Sequence, residues 1–288
     1  MLKEIDRVLI AVPDAKVSAD KWCSLVGAEV TARDSVKELG AKRITLRAGR
    51  SEIEILEPDG DGLISSALVR RGRAHLFAAG ATSANPDEVI THARSSGAKV
   101  LMLPDRHLIE IEIEGAPIRF VISPENVCSG TGTIDFLYEA TVLAANQSDA
   151  VTRIAETFAL DPKHFTTITS KEFGYTGVLT MFREGALHRF EVITPTDVGK
   201  TMGRYYAREG ASYYMAFAES ARMSIIEENA RATNAGMTVD RPKERPVHLT
   251  ADQLWLHPPA LGGMMLGVSR PTMAWRWSGH PERVEPLQ

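Results

Sequence analysis

Two strand-like segments carry most of the residues in this chain that could do chemistry. SEIEILEP (Ser51 to Pro58) and HRFEVITP (His188 to Pro195) each set a glutamate, Glu54 and Glu191, among apolar neighbours. Glutamate and histidine are the side chains that move protons in enzymes, so these segments are candidates for acid/base work. His188 precedes Glu191 by three residues, which in a strand turns the two to opposite faces and keeps them from sharing a metal. Four tyrosines, Tyr205, Tyr206, Tyr213 and Tyr214, cluster near one strand start, either as a wall for a planar ligand or as ordinary packing. Met264 and Met265 suit an adaptable apolar wall. There is no Gly-rich phosphate loop, Gly-x-Ser-x-Gly elbow or His-Glu-x-x-His helix, which removes nucleotide-binding, hydrolase and metalloprotease readings.

The elements that must position these residues recur. IDRVLIAVPD (Ile5 to Asp14) leads into a helix stopped at Gly27, and LYEATVLAAN (Leu137 to Asn146) does the same up to Asp161, with Ser148 or Asp149 near the helix cap. The acidic strands close these two units. Two further copies run from His75 to Gly97 and from Tyr214 to Gly236, closed by GAPIRFVISP and GGMMLGVSRP. Repetition of one supersecondary unit reveals architecture before any single residue does. The expectation is an α+β protein of four βαβββ modules, paired into two domains. Residues 1–124 form the first domain, 125–134 a small, polar linker, 135–278 the second domain and 279–288 a loose tail.

At 288 residues the chain suits two domains of ordinary size, and 44% hydrophobic with 24% charged residues describes a globular protein. A net charge of -4 argues against nucleic acid as a partner, since its binders usually carry a basic stripe. Cys23 and Cys128 offer no disulfide framework, which points to a reducing, cytoplasmic compartment. No run approaches the roughly 18 apolar residues of a membrane span, and the start MLKEIDRV has no signal-peptide pattern.

A strand ending in Asp, a helix ending in Gly, a closing strand of the form E-I-L-E-P, and the WLHPPALGGMMLGV segment together resemble the vicinal oxygen chelate superfamily. That superfamily includes glyoxalase I, methylmalonyl-CoA epimerase, extradiol dioxygenases and bleomycin-resistance proteins. The resemblance implies cup-shaped domains, each made of two modules. It also implies a divalent metal held by His, Gln or Glu from the first and closing strands.

Carried onto this sequence, the resemblance points in the first domain to Arg7, Glu54, His75 and Arg119. Alternation turns Arg119 into the cup and leaves Ile118, Phe120 and Ile122 on the helix-packed face. An arginine has no lone pair to give a metal, so only Glu54 and His75 remain as donors there. In the second domain the matching positions are Glu139, Glu191, Tyr214 and Gly267. Glu139 and Glu191 are the only metal candidates, and the ligand set is incomplete. The first set reads as an anion pocket with an acid/base pair, or as an Arg7–Glu54 salt bridge beside a His75 satisfied by the backbone. The second reads as a proton-transfer site, because close carboxylates raise one another's pKa, or as a vestigial cup rim. The resemblance also puts His257 near a cup mouth, as a substrate-binding residue.

The functional expectation is a glyoxalase- or dioxygenase-like protein acting on a small organic substrate by lyase, isomerase or ring-cleavage chemistry. The alternative is a non-catalytic binding protein similar to the bleomycin-resistance proteins. Its partner is a small molecule, and the chain is a monomer or a homodimer.

Overall fold

A computed structural model describes residues 1–126, 128–246 and 248–287. Val127, within the expected linker, Val247, and Gln288, at the end of the expected tail, lie outside the described residues.

The first module comprises β1 (Leu2–Ala11), α1 (Ala15–Val26), β2 (Glu29–Val36), β3 (Ala41–Ala48) and β4 (Ser51–Pro58), followed by a connecting helix α2 (Leu63–Arg71). The second has β5 (His75–Ser83), α3 (Pro86–Ser95), β6 (Lys99–Met102), β7 (His107–Ile113) and β8 (Ala116–Pro124). The third has β9 (Phe136–Leu143), α4 (Gln147–Phe158), β10 (Thr166–Ser170), β11 (Tyr175–Met181) and β12 (Arg189–Pro195), with connecting helix α5 (Thr201–Glu209). The fourth has β13 (Ser212–Glu219), α6 (Met223–Ala232), β14 (Met237–Asp240), β15 (Gln253–Leu256) and β16 (Met265–Ser269).

Within each module the last three strands form an antiparallel meander, and the closing strand returns parallel to the first: β4 on β1, β8 on β5, β12 on β9 and β16 on β13. The strands form two eight-stranded sheets, ordered β2-β3-β4-β1-β5-β8-β7-β6 and β10-β11-β12-β9-β13-β16-β15-β14. The second order is the first with eight added to every strand, the topological mark of a duplicated half.

Local chemistry sets the helix ends. Asp14 caps α1, its side chain accepting from the Val17 N–H at 2.9 Å, and Gly27 ends it at φ 64°, a left-handed turn that glycine adopts without a Cβ penalty. For α4 the cap is Asn146, which accepts from the Asp149 N–H at 3.2 Å. Ser148 and Asp149, the expected cap region, lie inside the first turn.

The chain groups into two compact units. The first holds Met1–Ile5, Ala78–Asn126 and Glu139–Tyr214; the second holds Asp6–Phe77, the segment ending at Tyr138, and the chain from Met215 onward. The core of the first unit is aromatic. The Phe120 ring lies 4.9 Å from Phe158 of α4, 4.7 Å from Phe190 and 6.0 Å from Tyr213, in edge-on geometry, and α3 packs on α4. Phe120 is therefore on the helix-packed face, as alternation along β8 requires. Burying such a ring is worth about 1.5–3 kcal/mol, and edge-on pairs add to that.

In the second unit α1 packs on α6 and buries Trp22, whose indole N–H donates to the Leu261 carbonyl at 3.0 Å. Two residues of the segment expected as a linker, Thr131 and Thr133, are pinned in this unit. Thr131 bridges Gly49, and the Thr133 N–H and hydroxyl both donate to the Val26 carbonyl, at 2.8 and 2.9 Å. The chain end is also held: Arg283 lies over Trp275 at 4.7 Å, and Arg270 donates to the Glu285 carbonyl at 2.8 Å. No helix among the described residues is long and apolar enough to cross a membrane.

Candidate functional site

In the first unit, parallel pairing of β9 and β12 sets Glu139 beside Arg189 and Thr141 beside Glu191, all four on one face. Arg189 Nε donates to Glu139 Oε2 at 2.6 Å, and its Nη1 donates to the Leu187 carbonyl at 2.8 Å. The Thr141 hydroxyl donates to Glu191 Oε2 at 2.5 Å and sits 3.4 Å from Glu139 Oε1. All four residues are buried, at 0 to 4% exposure, so their charges must balance internally. One guanidinium neutralises one carboxylate, and Glu139 is the one it grips.

The second carboxyl is pushed toward its protonated form. Burial, and then the charge of Glu139, hold Glu191 well above the usual carboxylate range, against the opposing pull of the Thr141 hydrogen bond and Arg189. Tyr175 on β11 feels the same pair: burial first, then Glu191 and Glu139, push its hydroxyl up. The cluster is thus a buried carboxyl pair joined through the Thr141 hydroxyl, with a built-in cation.

Other predicted residues of this half lie elsewhere. Tyr214 packs edge-on against Tyr205 at 5.0 Å, and burial with Tyr205 nearby pushes its hydroxyl up to about 12. Among the described residues no hydrogen bond joins Tyr214 to either acid. His188 Nδ1 accepts from the Ile5 N–H at 3.0 Å, so its ring is committed away from Glu191.

In the second unit, β1 and β4 set Arg7 beside Glu52 and Leu9 beside Glu54. Arg7 Nη1 lies 2.9 Å from both Glu52 and Glu54, and Arg7 Nε donates to Asp6 at 2.8 Å. Burial alone would pull the Arg7 pKa down, but Asp6, Glu54 and Glu52 together raise it. Arg43 of β3 reaches Glu54 from the other side at 3.3 Å and grips Asp34 through two bonds, at 2.9 and 2.7 Å. Glu54, 1% exposed, is thereby bracketed by two guanidiniums. His75 Nδ1 lies 2.9 Å from the Arg73 carbonyl and donates to it. Arg119 belongs to the first unit, where it pairs with Glu110 at 2.9 Å. Of the first-domain set, the contacts bring together Arg7 and Glu54 as a salt bridge.

The two halves wire the same positions with opposite sign. Strand register makes Arg7 equivalent to Glu139 and Glu52 equivalent to Arg189, while Glu54 and Glu191 are equivalent acids. The first and third modules therefore each carry one arginine–glutamate pair across their first and closing strands, with the partners exchanged.

In the fourth module, His257 precedes a short 3₁₀ turn, Pro258–Leu261, with Nε2 3.0 Å from the Thr238 hydroxyl. Gly267 pairs with Phe217, whose ring fills the space a Cβ at 267 would need. Phe217 also stacks on Tyr138, whose hydroxyl meets Ser269 at 3.1 Å. Position 267 thus looks onto an aromatic layer.

Arg189, Thr141, Arg43 and Glu52 were missed from sequence. Their signal was present: Arg189 and Glu52 lie two residues before Glu191 and Glu54, and Thr141 two after Glu139, hence on the same faces. The donor set does not fit the divalent metal that the fold family implies. Among the described residues no three His, Cys, Asp or Glu side chains converge to hold an ion. The two acids that do converge share the Thr141 hydroxyl, and one of them is gripped by a guanidinium.

No family model and no curated protein matches this sequence. Among solved structures, a mutant of 4-hydroxymandelate synthase from Streptomyces coelicolor aligns at 13% identity over 94% of this chain and 93% of its own, with a TM-score of 0.68. A xylose isomerase-like TIM barrel/4-hydroxyphenylpyruvate dioxygenase fusion protein aligns at 11% identity over 94% of this chain and 49% of its own, TM-score 0.64. Methylmalonyl-CoA epimerase from Mycobacterium tuberculosis covers 48% of this chain at a TM-score of 0.40, too low to bear on the fold. At these identities the likeness shows architecture alone. The chain has the vicinal oxygen chelate fold in its tandem form, four βαβββ modules in two cup-shaped domains.

Proposed function

We propose that this chain acts on a small organic substrate by proton transfer at the Glu139–Glu191 pair, as a lyase or isomerase. The observation that carries this reading is the buried pair itself: Glu139 and Glu191 on one strand face, both within reach of the Thr141 hydroxyl, with Glu191 held well above the usual carboxylate range by burial and by Glu139. Such a pair offers an acid and a base whose affinities are pushed apart by their surroundings, as removal of a proton next to a carbonyl and its return require. Arg189 grips Glu139, and Thr141 fixes the Glu191 carboxyl by its short hydrogen bond. Ring-cleavage chemistry draws no support from this donor set.

The second reading is ligand binding without catalysis. It is favoured by the internal pairing of the acids in both halves, which leaves Glu54 held between Arg7 and Arg43.

Proton exchange separates the two. The protein is incubated in heavy water with a panel of small oxo acids, hydroxyketones and thioesters, and α-proton loss is followed by NMR. The hydroxyphenyl acids in the names of the two structural neighbours belong in the panel on grounds of fold alone. Exchange by the natural chain that falls at least about 100-fold in Glu191→Gln supports proton transfer. Saturable binding of a panel compound with no exchange in either protein overturns it in favour of the binder.

A further inference from the structure

The fold family implies a divalent cation in the cup, and both halves of this chain answer with an arginine. We infer that the cups are neutralised by internal guanidiniums, Arg189 in one half and Arg7 in the other, and that the natural protein takes up no divalent metal in either.

In the first unit Arg189 is fully buried, 2.6 Å from Glu139, and anchored by the Leu187 carbonyl, so it is a fixture of the fold. An arginine stays protonated at any working pH and cannot retreat from the site by losing charge. A divalent ion bound to Glu139 would sit against that guanidinium. Its second carboxylate would come from Glu191, which is already engaged by Thr141. In the second unit Glu54 is held from two sides by Arg7 and Arg43, and Glu52 from two sides by Arg7 and Arg47. The exchange of arginine and glutamate between equivalent positions gives both halves the same outcome by different residues. In the first and third modules one cation across the first and closing strands is retained while its carrier strand switches.

This inference uses the same cup as the proposed reaction but no activity, so either can fail without the other. The test is uptake of Mn²⁺, read as loss of the free-ion paramagnetic resonance signal, by the full chain at pH 8. The natural protein is expected to leave the signal unchanged. Arg189→Met, shown folded by circular dichroism, is expected to take up about one ion per chain through the two freed carboxylates. Arg189→Met with Glu191→Gln is expected to lose that uptake. Stoichiometric uptake by the natural protein that disappears in Glu191→Gln or Glu54→Gln overturns the inference, whether or not the arginine variant folds. A folded Arg189→Met that takes up none overturns it as well, because the guanidinium is then not what excludes the metal.

Discussion

Arg189 and Glu139 stand directly opposite each other on parallel strands and meet at 2.6 Å with neither exposed to water. At the equivalent positions of the first module Arg7 faces Glu52, at 2.9 Å, with the charges exchanged. A charge buried in a sheet is tolerated only when its counter-charge is within reach, and neighbouring positions on paired strands provide that reach in either order.

Breaking the Arg189–Glu139 pair strands a buried charge. Arg189→Met is expected to cost about 3–5 kcal/mol of unfolding free energy at pH 7. Adding Glu139→Gln is expected to recover more than half of it. Urea unfolding of the two single variants and the double variant gives the coupling; additive losses would mean the pair contributes no more than its separate parts.

Glu191 makes stability depend on pH. Its folded pKa is raised above the ordinary 4.5, so its contribution is fully present below 4.5 and is lost as pH climbs toward the folded value. In that window it lowers stability by up to about 1.4 kcal/mol per pH unit. Glu191→Gln keeps a neutral side chain of the same shape and is expected to flatten the dependence, gaining on the natural chain as pH rises. Urea midpoints from pH 4 to pH 9 check it; parallel curves for the two proteins would show that Glu191 is not the carrier.

Phe120 touches Phe158, Phe190 and Tyr213. Phe120→Ala is expected to cost about 3–5 kcal/mol, and Phe120→Leu clearly less. A loss under about 1 kcal/mol in thermal or urea unfolding would mean the surrounding rings close the cavity.

Gly267 yields its side-chain space to the Phe217 ring. Gly267→Ala is expected to destabilise by about 1–3 kcal/mol through overpacking. Phe217→Leu in the same chain is expected to return part of that loss. Equal losses in the single and double variants would show the ring is not the obstacle.

The modular plan was legible because the copies repeat the same punctuation: an apolar strand, a helix that ends within a few residues of a glycine or proline, and a strand that closes beside the first. Asp14 and Gly27 bound α1 through local capping that needs no distant partner. The side of β8 that carries Phe120 followed from alternation alone. The partners of the charged residues did not. Arg43 and Glu54 are 11 residues apart and meet only because β3 and β4 pair in a particular register. His75, Arg7 and Arg119 align in a sequence-based reading, yet His75 bonds the backbone at Arg73 and Arg119 bonds Glu110.

What the sequence determined by itself is therefore what depends on neighbours along the chain: helix limits, strand faces, the fourfold repeat and the presence of an acid on both closing strands. Only the tertiary structure decided which acid the guanidinium grips and which is pushed toward its protonated form. That choice depends on where Arg189 and Thr141 stand relative to Glu139 and Glu191, 48 to 52 residues apart in the chain but adjacent across β9 and β12. Protonation in a buried site is set by distances of a few ångströms and by exclusion of water, and neither exists until the strands have paired.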